Sequence, residues 1–156
     1  MSKTQSSMLD EIFTFVIMPF DSDFDDVYKL GIKQAIDCNV RAERLDEQMF
    51  EEGMLDRIFR QIEVADFIIA DLSNRNPNFF YELGYDHARE KICILLTKEP
   101  TDIPFDLKHK RHIVYGDSIS ILKSELVKNI IWTKSEAKTR KEERIQIIPR
   151  KPTGDL

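Results

Sequence analysis

The sequence predicts an α/β fold, a doubly wound parallel sheet of five strands with helices on both faces. Continuous apolar runs such as Phe67-Ile68-Ile69-Ala70 are typical of parallel strands that are buried on both sides. These runs alternate along the chain with amphipathic segments of helical period, which favours right-handed crossovers and a parallel sheet. Five such strands predict the order 2-1-3-4-5, as in flavodoxin-like proteins.

The first half of the chain contains two predicted strands and two predicted helices. Residues 13–18 form a short aromatic and β-branched run, which predicts a buried first strand. Apolar residues recur near helical spacing over residues 27–36, with Ile32 out of step. Residues 40–45 predict the second strand, and the amphipathic pattern at 54–65 predicts the second helix.

The second half continues the alternation. Residues 67–70 predict the third strand, and residues 79–91 the helix that follows it. The continuous apolar run at 92–96 predicts a central fourth strand. Residues 112–115 predict the fifth strand, and the apolar stripe Ile121, Leu122, Leu126, Val127 and Ile130 predicts a closing helix over 119–131.

Length and composition indicate one globular domain. The chain has 156 residues, of which 42% are hydrophobic and 33% charged, and a domain of this size buries roughly two-thirds of its unfolded surface. No apolar stretch approaches the ~20 residues of a membrane span. Residues 1–10 are polar and lack a signal core, so we expect a flexible N-terminus and a cytoplasmic protein. Cys38 and Cys93 have no metal-like spacing and are expected to be reduced core residues.

Charge is distributed unevenly along the chain. The net charge is −5, and residues 134–156 hold seven Lys or Arg and four Asp or Glu, a local charge of +3 that leaves −8 on the rest. An acidic body disfavours nucleic acid as a partner. We therefore divide the chain into a domain over 11–133 and a basic, flexible tail over 134–156. The apolar patch at 145–149 is a candidate edge strand within that tail, or a contact that docks on a neighbouring molecule.

The segment after the predicted third strand holds the strongest functional signal. Asp71 ends the strand, Asn76-Pro77-Asn78 begins a predicted helix with proline in a suitable first position, and Glu82 follows in its first turns. In an open sheet of order 2-1-3-4-5, ligands bind outside the carboxyl ends of strands 1 and 3. The loops concerned are residues 18–23 and 71–78. The five glycines are scattered, which disfavours a glycine-rich phosphate loop.

The pattern I-A-D-L-S-x-R-N-P-N-x-x-Y-E-L-G-Y, after F-V-I-M-P-F, resembles the nucleoside 2-deoxyribosyltransferase-like superfamily. More specifically, it is similar to the bacterial nucleotide-binding branch that grades into TIR-like domains, over roughly residues 13–115. The resemblance implies that Glu82 is the catalytic carboxylate. It would attack or stabilise the anomeric carbon while an N-glycosidic bond breaks through an oxocarbenium-like transition state.

The remaining candidates surround this glutamate. Asp71 is a candidate for binding sugar hydroxyls, with a helix or turn cap as its alternative. Asn78 precedes Glu82 by four residues and is a candidate for orienting it. For the others an alternative structural role stays open, core packing for Met18 and a surface ion pair for Arg44 and Asp46. These further substrate-binding candidates are Met18 and Phe20 as one wall of a base pocket, Arg44 and Asp46 for a phosphate or ribose, and Asp21.

Three functions fit these observations. The first is an N-glycosidase or glycosyltransferase acting on NAD, a (deoxy)nucleoside or a monophosphate. The second is a non-catalytic nucleotide sensor, and the third is a TIR-like assembly module. We expect no metal and no cofactor, with NAD entering only as a substrate. The expected partners are a small nucleotide or nucleoside and further copies of the chain, with no membrane.

Overall fold

The structure is a computed structural model of the chain. It describes residues 11–36, 39–45, 53, 55–75, 90–103 and 111–147. The five strands and three helical segments given below fall within these ranges.

Five parallel strands form one sheet, and the predicted order and fold class are confirmed. The order is β2-β1-β3-β4-β5, with every neighbouring pair parallel. Each strand lies within two residues of its predicted ends. The strands are β1 (Ile12–Ile17), β2 (Val40–Arg44), β3 (Phe67–Asp71), β4 (Ile92–Thr97) and β5 (His112–Val114).

Three described helical segments cover the two faces of the sheet. The segment α1 begins as a 3-10 turn (Ser22–Phe24), continues as a π-helical stretch (Val27–Ile32) and ends as one α-helical turn (Lys33–Ala35). The other two are α2 (Leu55–Val64) and α3 (Ile119–Ile147). Residues 79–89 of the predicted third helix lie outside the described residues.

The alternation of side chains along the strands produces two cores. Ile12 and Val16 of β1 face a core that includes side chains of α1 and α3, whereas Phe13, Phe15 and Ile17 face a second core on the side of α2. Successive side chains of a strand point to opposite faces, so both faces of β1 are apolar. Across the central strands β1, β3 and β4, the only charged side chain is Asp71, at the carboxyl end of β3.

The π-helical stretch of α1 explains why Ile32 is out of step in the sequence. Val27 and Ile32 are both buried, although they are five residues apart. A π-helix bonds residue i to i+5, so such a pair falls on one face. Next to them, Gly31 lies against α3, where a Cβ at its position would sit 2.8 Å from Leu122 Cδ2. Glycine thus permits the close approach of α1 and α3.

The closing helix is longer than predicted, and residues 134–147 of the expected flexible tail continue it. Ala137 is 3% exposed and packs into the core shared with α1. Lys141 Nζ donates to the Glu11 carbonyl at 3.2 Å and lies 3.8 Å from Asp66 Oδ2. Arg140 contacts the Glu90 carbonyl at 3.5 Å. The prediction of a flexible tail depended on the polar composition of this segment. These contacts with the rest of the domain stabilise the helix in spite of that composition.

Two smaller expectations for α3 are also wrong. Ile145 is helical and 55% exposed, so the predicted edge strand does not form at residues 145–147. Ile121 and Val127 of the predicted apolar stripe are 51% and 37% exposed, whereas Leu122, Leu126 and Ile130 are buried as expected. Residues 1–10 and 148–156 lie outside the described residues.

Truncation after Thr133 is expected to destabilise the domain. It removes the Ala137 packing and the contacts of Arg140 and Lys141, so the free energy of unfolding should fall by roughly 1–3 kcal/mol. Urea unfolding of the full and shortened chains measures the loss. Removal of residues 148–156 alone is the control, because it keeps all of α3. Equal stability of the full chain and the chain ending at Thr133 would mean that the extension adds nothing to the fold.

Candidate functional site

The carboxyl ends of β1 and β3 flank the point where the strand order reverses. The chain continues from β1 towards one side, to β2, and β3 begins the other half of the sheet. The crevice outside these two strand ends is where open α/β sheets bind ligands. Asp71 is the last residue of β3 and lies at this edge.

The Asp71 side chain is completely buried, and each of its two carboxylate oxygens accepts a hydrogen bond from the protein. One carboxylate oxygen, Oδ1, accepts from the Ser73 backbone N–H at 2.9 Å. The other, Oδ2, accepts from the Tyr115 hydroxyl at 2.5 Å. None of the Asp71 surface is exposed. A sugar hydroxyl would therefore reach Asp71 only after the groups that cover it move.

Burial and hydrogen bonding act in opposite directions on Asp71. Burial raises the pKa of its carboxyl group above the usual range, and the hydrogen bonds from Ser73 and Tyr115, together with the charge of Lys98, oppose the rise. Burial and the neighbouring Asp71 carboxylate also raise the pKa of Tyr115 far above its usual value. The Tyr115 hydroxyl thus keeps its proton and remains a donor.

A second set of contacts ties neighbouring loops to this carboxylate. Ser73 Oγ accepts from the Lys98 backbone N–H, just after β4, at 2.9 Å. Asn74, with a φ of 63°, donates its backbone N–H to Asp102 Oδ2 at 2.9 Å. Lys98 Nζ lies 4.6 Å from the centre of the Phe24 ring in α1. The loops after β1, β3, β4 and β5 are therefore joined around Asp71.

The candidates after β1 do not form one wall. Met18 is 2% exposed and packs into the core with α1 and α3, whereas Phe20 is half-buried and packs against the core on the side of α2. Asp21 is exposed, and its Oδ1 accepts from the Asp23 N–H at 3.2 Å as the cap of the first turn of α1. The structure places Met18 as a core side chain, the alternative left open above.

Arg44 has an ion-pair partner on α1. Its Nη1 lies 3.1 Å from Asp25 Oδ1, and its guanidinium lies 5.1 Å from the centre of the Tyr28 ring. Burial raises the pKa of Tyr28, and the charge of Arg44 opposes this. The ion-pair alternative for Arg44 is thus realised, although with Asp25. Asp46, Asn78 and Glu82 lie outside the described residues, so their roles stay predictions.

Sequence reasoning missed Tyr115 and Lys98. In the sequence, Tyr115 is simply the last residue of the predicted fifth strand. Its place in the alternation of that strand indicates an ordinary core side chain and no polar role. The one signal available was topological, because residues that end parallel strands meet at the same edge of the sheet.

The described residues give no sign of a membrane span or a metal site. No helix among them is long and apolar enough to cross a membrane. In the same ranges, no three His, Cys, Asp or Glu side chains are grouped so that they could hold a metal ion. The expectations of no metal and no cofactor stay predictions.

Comparison with known proteins leaves the family open. No model of a protein family matches the chain, and no curated protein is significantly similar to it.

The buried carboxylate should give the stability of the protein a recognisable pH dependence. Because the folded-state pKa of Asp71 is raised above the unfolded one, its contribution to stability is complete below the unfolded pKa and is lost as pH rises through the folded pKa. Asp71→Asn removes this titration. The stability of the Asn variant relative to wild type should therefore increase with pH across the acid range.

Urea unfolding at several pH values from about 4 to about 8 measures the difference. Asp56→Asn, the same change at an exposed carboxylate of α2, is the control and should keep the wild-type slope. A difference between Asp71→Asn and wild type that does not vary with pH would contradict the raised pKa.

Proposed function

We propose that the chain breaks the N-glycosidic bond of a nucleotide or nucleoside, as a hydrolase or glycosyltransferase, with Glu82 as the catalytic carboxylate. The observation that carries the proposal is the buried Asp71 turn at the carboxyl end of β3, beside the switch point. It lies where the resemblance to nucleoside 2-deoxyribosyltransferase-like proteins requires the loop that leads to Glu82. The sequence Asn76-Pro77-Asn78 follows directly.

The chemistry requires a carboxylate that is ionised at neutral pH. Positive charge builds on the sugar as the base leaves, and a fixed carboxylate beside the anomeric carbon stabilises that charge or traps the sugar covalently. A glutamate in the first turns of a helix is favoured in its charged form by the helix dipole. Glu82, in the first turns of the predicted helix, meets this requirement. Asp71, whose two oxygens each accept a hydrogen bond from the protein, is assigned to holding the loop.

The leaving base divides the substrates into two groups. Nicotinamide leaves NAD as a neutral base and needs no general acid, whereas the bases of nucleosides and their monophosphates usually need a proton as they leave. The resemblance to TIR-like domains favours NAD, and the resemblance to deoxyribosyltransferases favours the second group. An assay of base release distinguishes the two groups of substrates. The protein is incubated with NAD and with a panel of nucleosides and monophosphates, and free base is detected by chromatography.

Glu82→Gln is expected to reduce base release by about 10²–10³-fold or more while the protein stays folded. The amide keeps the shape of the side chain and removes the charge that stabilises the transition state. The assay uses whichever substrate the wild-type protein cleaves, and circular dichroism checks the fold. Glu63→Gln, at an exposed position of α2, is the control. Wild-type activity in Glu82→Gln would remove the catalytic assignment.

Association of two copies through α3 is a second candidate function. Ile131 and Trp132 of α3 are 69% and 47% exposed, and Arg111 stacks 4.6 Å from the Trp132 ring centre. Beside them, α1 and α3 form a cleft of about 400 Å³ lined by Ile36, Val127 and Ile131 among others. This exposed apolar surface favours the assembly role over the sensor role.

The mass of the protein in solution tests this second candidate. If α3 forms the interface, Ile131→Glu should shift an oligomer towards the monomer in sedimentation or light scattering, since a charge would be buried there. Val64→Glu places the same charge at a 57% exposed apolar position of α2, on the other side of the sheet, and should not. An unchanged mass in Ile131→Glu, or a wild-type monomer, argues against association through α3.

A further inference from the structure

We propose that Tyr115 is a positioning residue of this site, whose hydroxyl acts through Asp71 to fix the turn from which the Glu82 segment leaves β3. The contacts of Tyr115, Asp71 and Ser73 carry the structural part of the inference. Its consequence for the reaction rests on the function proposed above.

Tyr115 is held firmly enough to act as a fixed point. It follows β5 directly, and its backbone N–H donates to the Thr97 carbonyl at the end of β4, at 3.0 Å. Its own carbonyl accepts from the Ser118 N–H at 3.0 Å, just before α3 begins. The side chain is 2% exposed and belongs to the core between the sheet and α3. The ring thus has little freedom to move away from Asp71.

The hydroxyl reaches across one intervening strand. Strand β4 separates β5 from β3 in the sheet. Tyr115 and Asp71 nevertheless meet, because both side chains point to the α1 and α3 face at the carboxyl edge. The bond between them, at 2.5 Å, connects residues 44 apart in sequence. It is the contact by which the end of β5 fixes the end of β3.

Asp71 transmits this constraint to the loop. A buried carboxylate without hydrogen-bond donors is strongly unfavourable, so both of its oxygens must stay bonded for the turn to persist. Its Oδ1 accepts from the Ser73 N–H, and Ser73 Oγ in turn accepts from the Lys98 N–H. Loss of the Tyr115 hydroxyl leaves Oδ2 without that donor in a site closed to solvent. The carboxylate must then shift or protonate, and the turn at Ser73 changes with it.

The turn itself has a demanding backbone. Asn74 lies in the left-handed region, with a φ of 63°, which asparagine adopts more readily than most other non-glycine residues. Two contacts hold it in this turn, Asp71 on the Ser73 N–H and Asp102 on the Asn74 N–H. The next residues in the chain lead to Glu82. A displacement of about 1 Å at a reacting group can cost about 10²-fold in rate.

A purely structural role for Tyr115 predicts different results. A core aromatic ring tolerates Tyr→Phe with a loss of stability only. The Ser73 amide would keep its protection, and the rate of base release would be unchanged well below the melting temperature. The experiment therefore measures the loop and the rate separately from overall stability.

The test is Tyr115→Phe, with Ile130→Val as the control. Ile130 is 3% exposed and packs in the same core, so its shortening lowers stability without touching Asp71. Amide hydrogen exchange followed by NMR reports on Ser73 and Asn74. We expect their exchange to become faster by about tenfold or more in Tyr115→Phe, and to change in Ile130→Val only as far as global stability changes.

Kinetics on the cleaved substrate supply the second measurement. Tyr115→Phe should lower kcat by about 10–10²-fold with little change in KM, because the change displaces the catalytic group and leaves the substrate contacts in place. The double variant with Asp71→Asn should be no slower than the slower single variant, since both act through one contact. Full additivity of the two effects would overturn the assignment.

The outcomes separate this inference from the proposed function. If the wild-type protein releases no base from any compound, the proposed function fails, and the exchange of Ser73 still decides whether Tyr115 fixes the turn. If exchange in Tyr115→Phe matches the control, the inference is wrong in either case. If the wild-type protein is active and exchange increases while kcat stays the same, the turn does not position the catalytic group, and the proposed function stands.

Discussion

The Asp71 carboxylate determines how this edge of the molecule is built. Its side chain has no exposed surface, and a carboxylate in such a place is tolerated only when hydrogen bonds replace the water that it has lost. The two donors come from different parts of the chain, the Ser73 backbone and the Tyr115 hydroxyl. Satisfying one buried charge therefore requires β3, its loop and the end of β5 to be in place together.

The covering of the sheet explains why the polar chemistry collects at the strand ends. The central strands are apolar on both faces, packed against α1 and α3 on one side and α2 on the other. Along β1, the only polar side chain is Thr14, whose buried hydroxyl has no hydrogen-bond partner among the described residues. Strands β1 and β3 are buried along their whole length and offer a ligand no exposed face. The loops at the carboxyl edge, beside the switch point, remain as the place for recognition.

The strands were predictable because apolar runs, and the alternation of strand with helix, carry the information locally. The order 2-1-3-4-5 followed from that alternation and from the handedness of crossovers. The end of α3 was not predictable in the same way. The composition of residues 134–147 indicates a solvated tail. In the structure, however, Ala137 packs into the core, and Arg140 and Lys141 contact carbonyl groups just before β4 and β1 that are distant in sequence.

The site was predictable only in part, for a similar reason. Asp71 could be located because it ends an apolar run and begins a polar loop. That its oxygens are already occupied could not be foreseen, since the Tyr115 donor is 44 residues away and sits in a strand that reads as ordinary core. Likewise, the ion pair between Arg44 and Asp25 could not be foreseen, because nothing in the sequence near Arg44 indicates that Asp25 lies beside it.

The burial and hydrogen bonding of Asp71 also bear on how two carboxylates, Asp71 and Glu82, could divide the tasks of the proposed reaction. Burial raises the pKa of Asp71, so this group is poorly suited to remain charged once its donors are disturbed. The charge that stabilises a cationic sugar must come from a group whose environment favours ionisation, as a helix N-terminus does. Carboxylates with different tasks are usually separated by such differences in environment. On this reasoning Asp71 holds the loop, and the proposed function assigns the charge at the reacting centre to Glu82.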